Sequence, residues 1–282
     1  MRTETITSAQ NPKIKNLLLL QEKSKARREQ GLFVVEGRRE LEHCLEGGFE
    51  VKTVFYCPEI IDSSEVCNLL RMTSDDHSDD RSCHSERSEE SLLCIEIQEQ
   101  LYRKVAYRDS TEGIIAEVEY KSLTLDDLQL PENPLVVVLE SVEKPGNLGA
   151  VLRSADAAGA DAVLIGDPLT DLYNPNLIRA SIGAVFTVPV VAAPSTDIIA
   201  FLKERNIQIL TAQLQDSSLY YDVDMKRGTA LVMGTESTGL TPQWRQAASA
   251  HIRIPMLGRL DSLNVSVSAA ILLFEAVRQR QG

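Results

Sequence analysis

The sequence has no apolar run long enough to cross a membrane and no apolar stretch of signal-peptide length near its first residues. Its apolar runs, such as residues 135–139, are far shorter than the roughly 20 residues that a membrane-spanning helix needs. This absence disfavours membrane and secreted proteins, and we expect the chain to be cytoplasmic.

Cysteine is scarce and confined to the first third of the chain, as Cys44, Cys57, Cys67, Cys83 and Cys94. The number is odd and no two of them form the C-x-x-C pair of zinc and redox sites, so we expect reduced thiols with no shared task. His77, Cys83 and His84 are close in sequence, but their spacing fits no metal-binding template. The sequence therefore predicts no metal centre.

The chain also lacks the net positive charge with which nucleic-acid-binding proteins neutralise phosphates. The chain has 29 basic and 41 acidic residues, a formal charge of −12. The distribution is less adverse, because residues 1–40 hold nine basic against five acidic residues, an excess of four positive charges. Residues 73–91 hold seven acidic residues, two arginines and almost no apolar side chains, so we predict a disordered acidic insertion there.

The apolar pattern indicates two α/β domains. Residues 1–120 alternate short helices and strands and are predicted to form the smaller domain, and the polar residues 121–133 are predicted to be a linker. Residues 134–282 alternate continuous apolar strands with helices, which is typical of a parallel sheet covered on both faces. The strands predicted there are residues 135–139, 162–165, 185–191, 207–210 and 229–233, and the helices are residues 148–158, 198–205 and 264–278.

Three polar, glycine-containing segments follow strands of the second domain, where open α/β sheets place their ligands. Their candidate functional side chains are Asn147 and Arg153 in residues 140–153, Glu236 in residues 231–240, and Ser262 and Asn264 in residues 254–268. Each segment also has a purely structural interpretation: a capped helix with a solvent-facing arginine, a strand–turn–helix junction, and a helix N-cap.

Taken together, the three segments resemble the SpoU family of the SPOUT methyltransferase superfamily. The family's N-x-G-x-x-x-R pattern is met by residues 147–153, G-x-E-x-x-G by residues 234–239, and I-P-M-x-G-x-x-x-S-L-N-V-S by residues 254–266. Residues 179–184 also look like the family, which commonly has a small residue where Ile182 stands. Residues 6–12 and 33–37 resemble the small α/β substrate-binding domain, shared with certain ribosomal proteins, that many members carry.

For the fold, the resemblance implies a SPOUT α/β domain with a parallel sheet and a deep trefoil knot. The knot would form where residues 254–264 and the following helix thread through an earlier loop. The resemblance also implies an RNA-binding amino-terminal domain and a homodimer with the active site near the subunit interface.

For the activity, the resemblance implies S-adenosylmethionine-dependent methylation of a ribose 2′-hydroxyl in RNA, with ribosomal RNA favoured over transfer RNA. The resemblance also implies a set of catalytic residues, namely Arg153, Asn147, Glu236, Ser262 and Asn264. The residues expected to hold S-adenosylmethionine are Leu210, Thr211, Ala212, Gly234, Ile254, Met256, Leu263 and Asn264. Because arginine is effectively always protonated, we expect Arg153 to bind a phosphate and stabilise the alkoxide rather than to act as a base. Glu236 is expected to orient Arg153 or Asn147.

Two other function classes stay open at this point. The first is a non-catalytic RNA-binding protein that keeps the fold, which the acidic balance favours and which donor binding would distinguish. The second is a nucleotide-dependent oxidoreductase of the Rossmann type. It is disfavoured because residues 143–149 read E-K-P-G-N-L-G and lack the G-x-G-x-x-G turn.

Overall fold

The computed structural model describes residues 2–71, 92–107, 112–235 and 238–281. The chain forms two compact units, the first containing Met1–Lys121 with the short segment Tyr173–Pro175, and the second containing Ser122–Leu172 and Asn176–Gly282. The insertion predicted at residues 73–91, with His77, Cys83 and His84, lies outside the described residues.

The first unit is built on a mixed five-stranded sheet. Its elements are β1 (Arg2–Ile6), α1 (Pro12–Glu22), α2 (Ser24–Gln30), β2 (Leu32–Glu36), α3 (Arg38–Glu46), β3 (Val51–Tyr56), α4 (Ser63–Arg71), β4 (Leu93–Ile97), α5 (Glu99–Val105) and β5 (Ile114–Glu119). The strand order is β1-β4-β3-β5-β2. Strands β1, β4 and β3 are parallel, whereas β5 is antiparallel to β3 and β2.

Helix α1 shows how the sequence builds this unit. Asn11 caps the helix, since its side-chain oxygen accepts a hydrogen bond of 2.9 Å from the backbone nitrogen of Lys13. The apolar side chains Ile14, Leu17 and Leu20 are fully buried in a cluster with strand residues of the sheet. The buried stripe of this helix attaches it to the sheet, as expected for a domain in which short helices and strands alternate.

The second unit is built on a seven-stranded sheet. Its elements are β6 (Leu135–Glu140), α6 (Pro145–Ala157), β7 (Ala162–Gly166), α7 (Pro175–Ser181), α8 (Ala184–Thr187), β8 (Val190–Ala193), α9 (Ser195–Glu204), β9 (Gln208–Ala212), β10 (Ser218–Leu219), β11 (Thr229–Met233), α10 (Pro242–Ala247), β12 (Ala250–Arg253) and α11 (Val265–Gln281). The strand order is β10-β12-β9-β11-β6-β7-β8, and every neighbouring pair among the described strands is parallel.

Helices cover this sheet on both faces, as the continuous apolar strands predicted. Val136, Val138 and Val232 point to one face and pack in a cluster with α9 and with Trp244 of α10. Helices α6 and α11 pack on each other and contact β7 and β11. Since alternate strand residues point to opposite faces and are also buried, these two helices cover the other face.

The residues predicted as a linker also contribute to this core. Leu128 is buried in the cluster with α9, and Leu123, Leu125 and Leu130 pack against it. The predicted domain limits stay a prediction, but the segment that precedes β6 is not a solvated tether. None of the helices among the described residues is both long and apolar enough to span a bilayer.

The strand predicted at residues 185–191 is wrong. The chain instead forms the short helix α8, and a strand begins only at Val190. Gly183 precedes the helix with φ of 83°, which turns the chain, and Pro189, which has no N–H to donate, separates the helix from the strand. Val185, Phe186 and Val188 are all buried. A short apolar run that is buried throughout has no periodicity that distinguishes a helix from a strand, which explains the wrong prediction.

The sheet order places the three polar segments. From β6 the chain adds β7 and β8 on one side, and it then crosses over to form β9 and β11 on the other side of β6. The order in which strands are added therefore reverses between the adjacent, parallel strands β6 and β11. Open α/β sheets bind ligands at such a reversal, beyond the carboxyl ends of the strands. The first two segments follow β6 and β11, and the third follows β12, on the far side of β9. The trefoil knot stays a prediction.

Candidate active site

Two cavities lie at this edge of the second unit's sheet. The larger, of about 300 Å³, is lined by the loop after β9 and by the second and third polar segments. The smaller, of about 180 Å³, is lined by the first and second segments, including Val142, Lys144 and Asn147. Gly234, Thr235 and Val265 belong to both walls, so the cavities adjoin each other.

Gly234 follows β11, where two stretches of backbone pass each other closely. A Cβ atom at this position would lie 2.3 Å from the carbonyl carbon and oxygen of Gly239. The Thr235 carbonyl accepts a hydrogen bond of 3.0 Å from the Gly239 nitrogen, which closes the turn. A larger residue at position 234 would therefore displace the shared wall. Glu236, predicted in this turn, lies outside the described residues.

Asn264 joins the third segment to the first. Its Nδ2 donates to Oδ1 of Asn147 over 3.1 Å. Its Oδ1 accepts from the backbone nitrogen of Ser266 at 3.0 Å and from the Ser266 hydroxyl at 2.6 Å, which is the pattern of a helix N-cap. Asn264 thus caps α11 and fixes Asn147 in the wall of the smaller cavity.

Most of the residues predicted to hold the cofactor line the larger cavity, namely Ala212, Gly234, Ile254, Met256 and Leu263, and so does the predicted catalytic residue Ser262. Leu210 and Thr211 do not line it, because both are fully buried within β9. The Thr211 hydroxyl is instead 2.6 Å from Nδ1 of His251 on the neighbouring β12. The roles of these residues stay predictions.

Arg153 is exposed on α6 and lines neither cavity. A helix turns by about 100° per residue, so the six residues from Asn147 place Arg153 roughly 120° around the helix from it. Among the described residues, no hydrogen bond and no ion pair involves the side chain of Arg153. Its guanidinium group is therefore open to an external anion.

Glu140 is a structural member of the site that the sequence motifs do not identify. It ends β6 and is only 1% exposed. Its carboxylate accepts hydrogen bonds from the backbone nitrogen of Thr241 at 2.8 Å and from the Thr241 hydroxyl at 2.5 Å. Because Thr241 directly precedes α10, this buried carboxylate ties the segment after β11 to β6. The available signal was an acidic residue directly after five apolar strand residues.

Several polar side chains of the larger cavity were also missed, namely Gln213, Gln215, Arg245, Arg253 and Asp261. Gln213 directly follows β9 and Arg253 ends β12, so their position after parallel strands was the available signal. The rest of the wall is mainly apolar, with Met233, Leu240, Ile252 and Leu272 among its members. An apolar wall with a few polar groups suits a ligand with a planar apolar body and polar edges, such as an adenosyl group.

The comparisons with known proteins agree with this geometry. Residues 134–274 match the model of the SpoU rRNA Methylase family, and residues 11–116 match that of the MRM3-like substrate binding domain. The chain is 30% identical over 257 residues to a 23S rRNA (uridine(2479)-2′-O)-methyltransferase of Streptomyces viridochromogenes, which covers 89% of this chain and 84% of the relative.

Two solved structures are similar over almost the whole chain. One is a crystal structure of an RNA 2′-O ribose methyltransferase, with 37% identity, a TM-score of 0.80, and coverage of 99% of this chain and all of the other. The second is an AdoMet-bound rRNA methyltransferase from Sinorhizobium meliloti, with 30% identity, a TM-score of 0.84 and 98% coverage of both chains.

Proposed function

Because the chain belongs to the SpoU rRNA methylase family, we propose that it is an enzyme that methylates a ribose 2′-hydroxyl of ribosomal RNA with S-adenosylmethionine. The observation that carries the proposal is the pair of adjoining cavities at the strand reversal, with the Asn147–Asn264 hydrogen bond beside their shared wall. A cofactor and a substrate group bound in adjoining cavities are close enough to react.

The larger cavity is the proposed cofactor site. When bound there, S-adenosylmethionine supplies a methyl group activated by its sulfonium. Met256 and Leu263 provide apolar contact for the adenine, and the backbone around Ala212, Gly234 and Ile254 provides hydrogen bonds, so the site needs no charged group against the ring. Leu210 and Thr211 support this wall from within β9.

The smaller cavity is the proposed site of the target ribose. Asn147, held by Asn264, positions the hydroxyl group, and Ser262 lies at the cofactor side. A ribose hydroxyl is a poor acid, so the site must stabilise the developing negative charge. Arg153 does this by binding the phosphate next to the target ribose with its planar fork of donors, and Glu236 orients Arg153 or Asn147.

Ribosomal RNA is preferred over transfer RNA as the substrate because the relatives described above include enzymes named for ribosomal RNA. The first unit, which matches a substrate-binding domain, is the proposed contact with that RNA. This substrate also favours the cytoplasm as the place of action.

A homodimer is proposed as the working form. Helix α11 buries Val265, Ala269, Leu272 and Ala276 within its own unit. A different side of the same helix leaves Val267 47% and Phe274 49% exposed. Two apolar stripes on one helix suit packing on both a core and a second copy. A second copy could also bring its Arg153 to a cavity that this chain's own Arg153 does not line.

The test is methyl transfer from labelled S-adenosylmethionine to ribosomal and transfer RNA from a strain that lacks the gene. We expect transfer to ribosomal RNA, with kcat lowered about 10²- to 10³-fold in Arg153→Ala and only partly restored in Arg153→Lys. Arg205→Ala is the matched control, because Arg205 follows α9 at the opposite edge of the sheet. Full turnover by Arg153→Ala would exclude an essential role for Arg153, and modification of transfer RNA alone would overturn the substrate.

A further inference from the structure

Gln213 directly follows β9 and belongs to the wall of the larger cavity. Its backbone nitrogen donates to the carbonyl of Ile252 over 2.9 Å, which continues the pairing of β9 with β12. Its side-chain Nε2 donates to the carbonyl of Gln215 over 2.9 Å. Gln213 is therefore held by its backbone N–H and by the nitrogen of its side-chain amide, and it lines the cavity.

The other end of that amide is unsatisfied. Among the described residues, Gln213 Oε1 is the buried side-chain nitrogen or oxygen that has no hydrogen-bond partner. The large majority of buried acceptors in native proteins have a donor, and one without a donor has lost its hydration with no compensation. Such an atom in a ligand cavity indicates a partner supplied by the ligand.

The chemical identity of this atom is fixed by its surroundings. Reversing the amide would place Oε1 against the carbonyl oxygen of Gln215, and two acceptors would then face each other. The unsatisfied atom is therefore an acceptor, and its partner must be an N–H or O–H group. The terminal torsion of glutamine is soft, so the amide can adjust to a donor that a ligand presents from the cavity.

We propose that Gln213 is a cofactor-binding residue whose Oε1 accepts a hydrogen bond from an amino or hydroxyl group of the adenosine part of S-adenosylmethionine. The proposal rests on the cofactor assigned to this cavity above and adds a side chain that selects for a donor group on the ligand. The apolar wall then takes the body of the ligand, and Gln213 reads one of its edges.

The first experiment is calorimetric titration of the full chain with S-adenosylhomocysteine, the demethylated product. Gln213→Met keeps the length of the side chain but removes the acceptor, and we expect about tenfold weaker binding. Gln246→Met, on the exposed side of α10 and outside the cavity wall, is the matched control and should bind as the wild type does.

Ligand analogues identify the paired group. S-inosylhomocysteine lacks the 6-amino group, and the 2′-deoxy and 3′-deoxy analogues each lack one ribose hydroxyl. The analogue without the paired donor should bind equally to the wild type and to Gln213→Met, whereas the other analogues should keep the tenfold difference. An equal loss with every analogue would mean that Gln213 only supports the wall and would overturn the proposal, as would unchanged binding by Gln213→Met.

The ligand-free proteins give a second readout that does not depend on activity. Gln213→Met loses the hydrogen bond to Gln215 but also removes an unsatisfied buried acceptor, so its thermal midpoint should not fall below that of the wild type. A lower midpoint together with weaker binding would indicate a structural role. Failure of the wild-type protein to bind S-adenosylhomocysteine would count against the proposed function itself, whereas normal wild-type binding with an unaffected Gln213→Met variant would count against this inference alone.

Discussion

At the scale of single residues, Ile182 has a backbone conformation that its side chain disfavours. Its φ is 54°, in the left-handed region, where a β-branched residue is an outlier. The residue follows α7 and precedes Gly183, so the chain needs two successive positive φ angles to turn into α8. This conformation gives a physical reason for the small residue that the family commonly has at this position.

We expect Ile182→Gly to be more stable to unfolding than Ile182→Ala by about 1 kcal/mol, because both remove the side chain beyond Cβ and only glycine, which lacks Cβ, relaxes the left-handed backbone. The order should reverse at the exposed helical position Ala200, where Ala200→Gly should cost about 0.5–1 kcal/mol. Urea denaturation followed by the fluorescence of Trp244, the one tryptophan in the sequence and fully buried in this unit, measures both. An Ile182→Ala protein as stable as Ile182→Gly would contradict the strain argument.

The sequence identifies residues of this site only where they fall in a local pattern. Asn147 and Asn264 were predicted from motifs, and the structure brings them within 3.1 Å of each other across 117 positions. Glu140 and Gln213 were not predicted, because their importance lies in a partner or a missing partner that only the folded chain defines. Glu140 binds Thr241, which is 101 positions away. No local pattern contains such a distance.

At the scale of elements, the approach of α6 to α7 depends on one glycine. A Cβ atom on Gly149 would lie 2.6 Å from Cβ of Ala180 and 2.8 Å from the nitrogen of Ser181. Gly146, in the first turn of the same helix, has nothing within 4 Å of such an atom. The two glycines share a helix and differ in what surrounds them.

Gly149→Ala should therefore lower the free energy of unfolding by about 1–3 kcal/mol, since the neighbouring backbone must move apart. Gly146→Ala should raise it by about 0.4–1 kcal/mol, because alanine restricts the unfolded chain without a clash in the folded one. The same fluorescence-detected denaturation distinguishes the two signs. Stabilisation by both substitutions would show that α6 and α7 are free to separate.

Whether an element could be predicted depended on its place in the sheet. The central strands β6, β7 and β11 are continuous apolar runs, and all were predicted within one residue at each end. Strand β1 lies at an edge of its sheet and reads Arg-Thr-Glu-Thr-Ile, with Ile6 as its buried apolar residue, so it carries no apolar pattern. Its pairing with β4, about 90 positions away, creates the strand.

At the scale of the whole molecule, acidic charge constrains association. Each copy carries a formal charge of −12, so two copies repel unless their contact is apolar and free of exposed carboxylates. The exposed stripe of Val267 and Phe274 on α11 meets that requirement. Glu275 is buried beside it, and its hydrogen bonds with Arg278 lower the pKa of its carboxyl group and neutralise its charge locally.

We therefore expect a dimer at micromolar concentration in sedimentation velocity, and we expect added salt to preserve it, because salt screens the repulsion and leaves apolar contact intact. Phe274→Lys should raise the dimer dissociation constant at least about 100-fold, since the twofold axis would bury two unpaired ammonium groups. Leu19→Lys, at a side chain of similar exposure on α1, should leave the dimer unchanged. A wild-type monomer, or a Phe274→Lys dimer of undiminished strength, would exclude α11 as the dimer contact.

The same variant tests whether the second copy completes the active site. If Phe274→Lys is a folded monomer that still binds S-adenosylhomocysteine but no longer transfers methyl groups, the second copy is needed for the reaction. That result would agree with the position of Arg153, which lines neither cavity of its own chain.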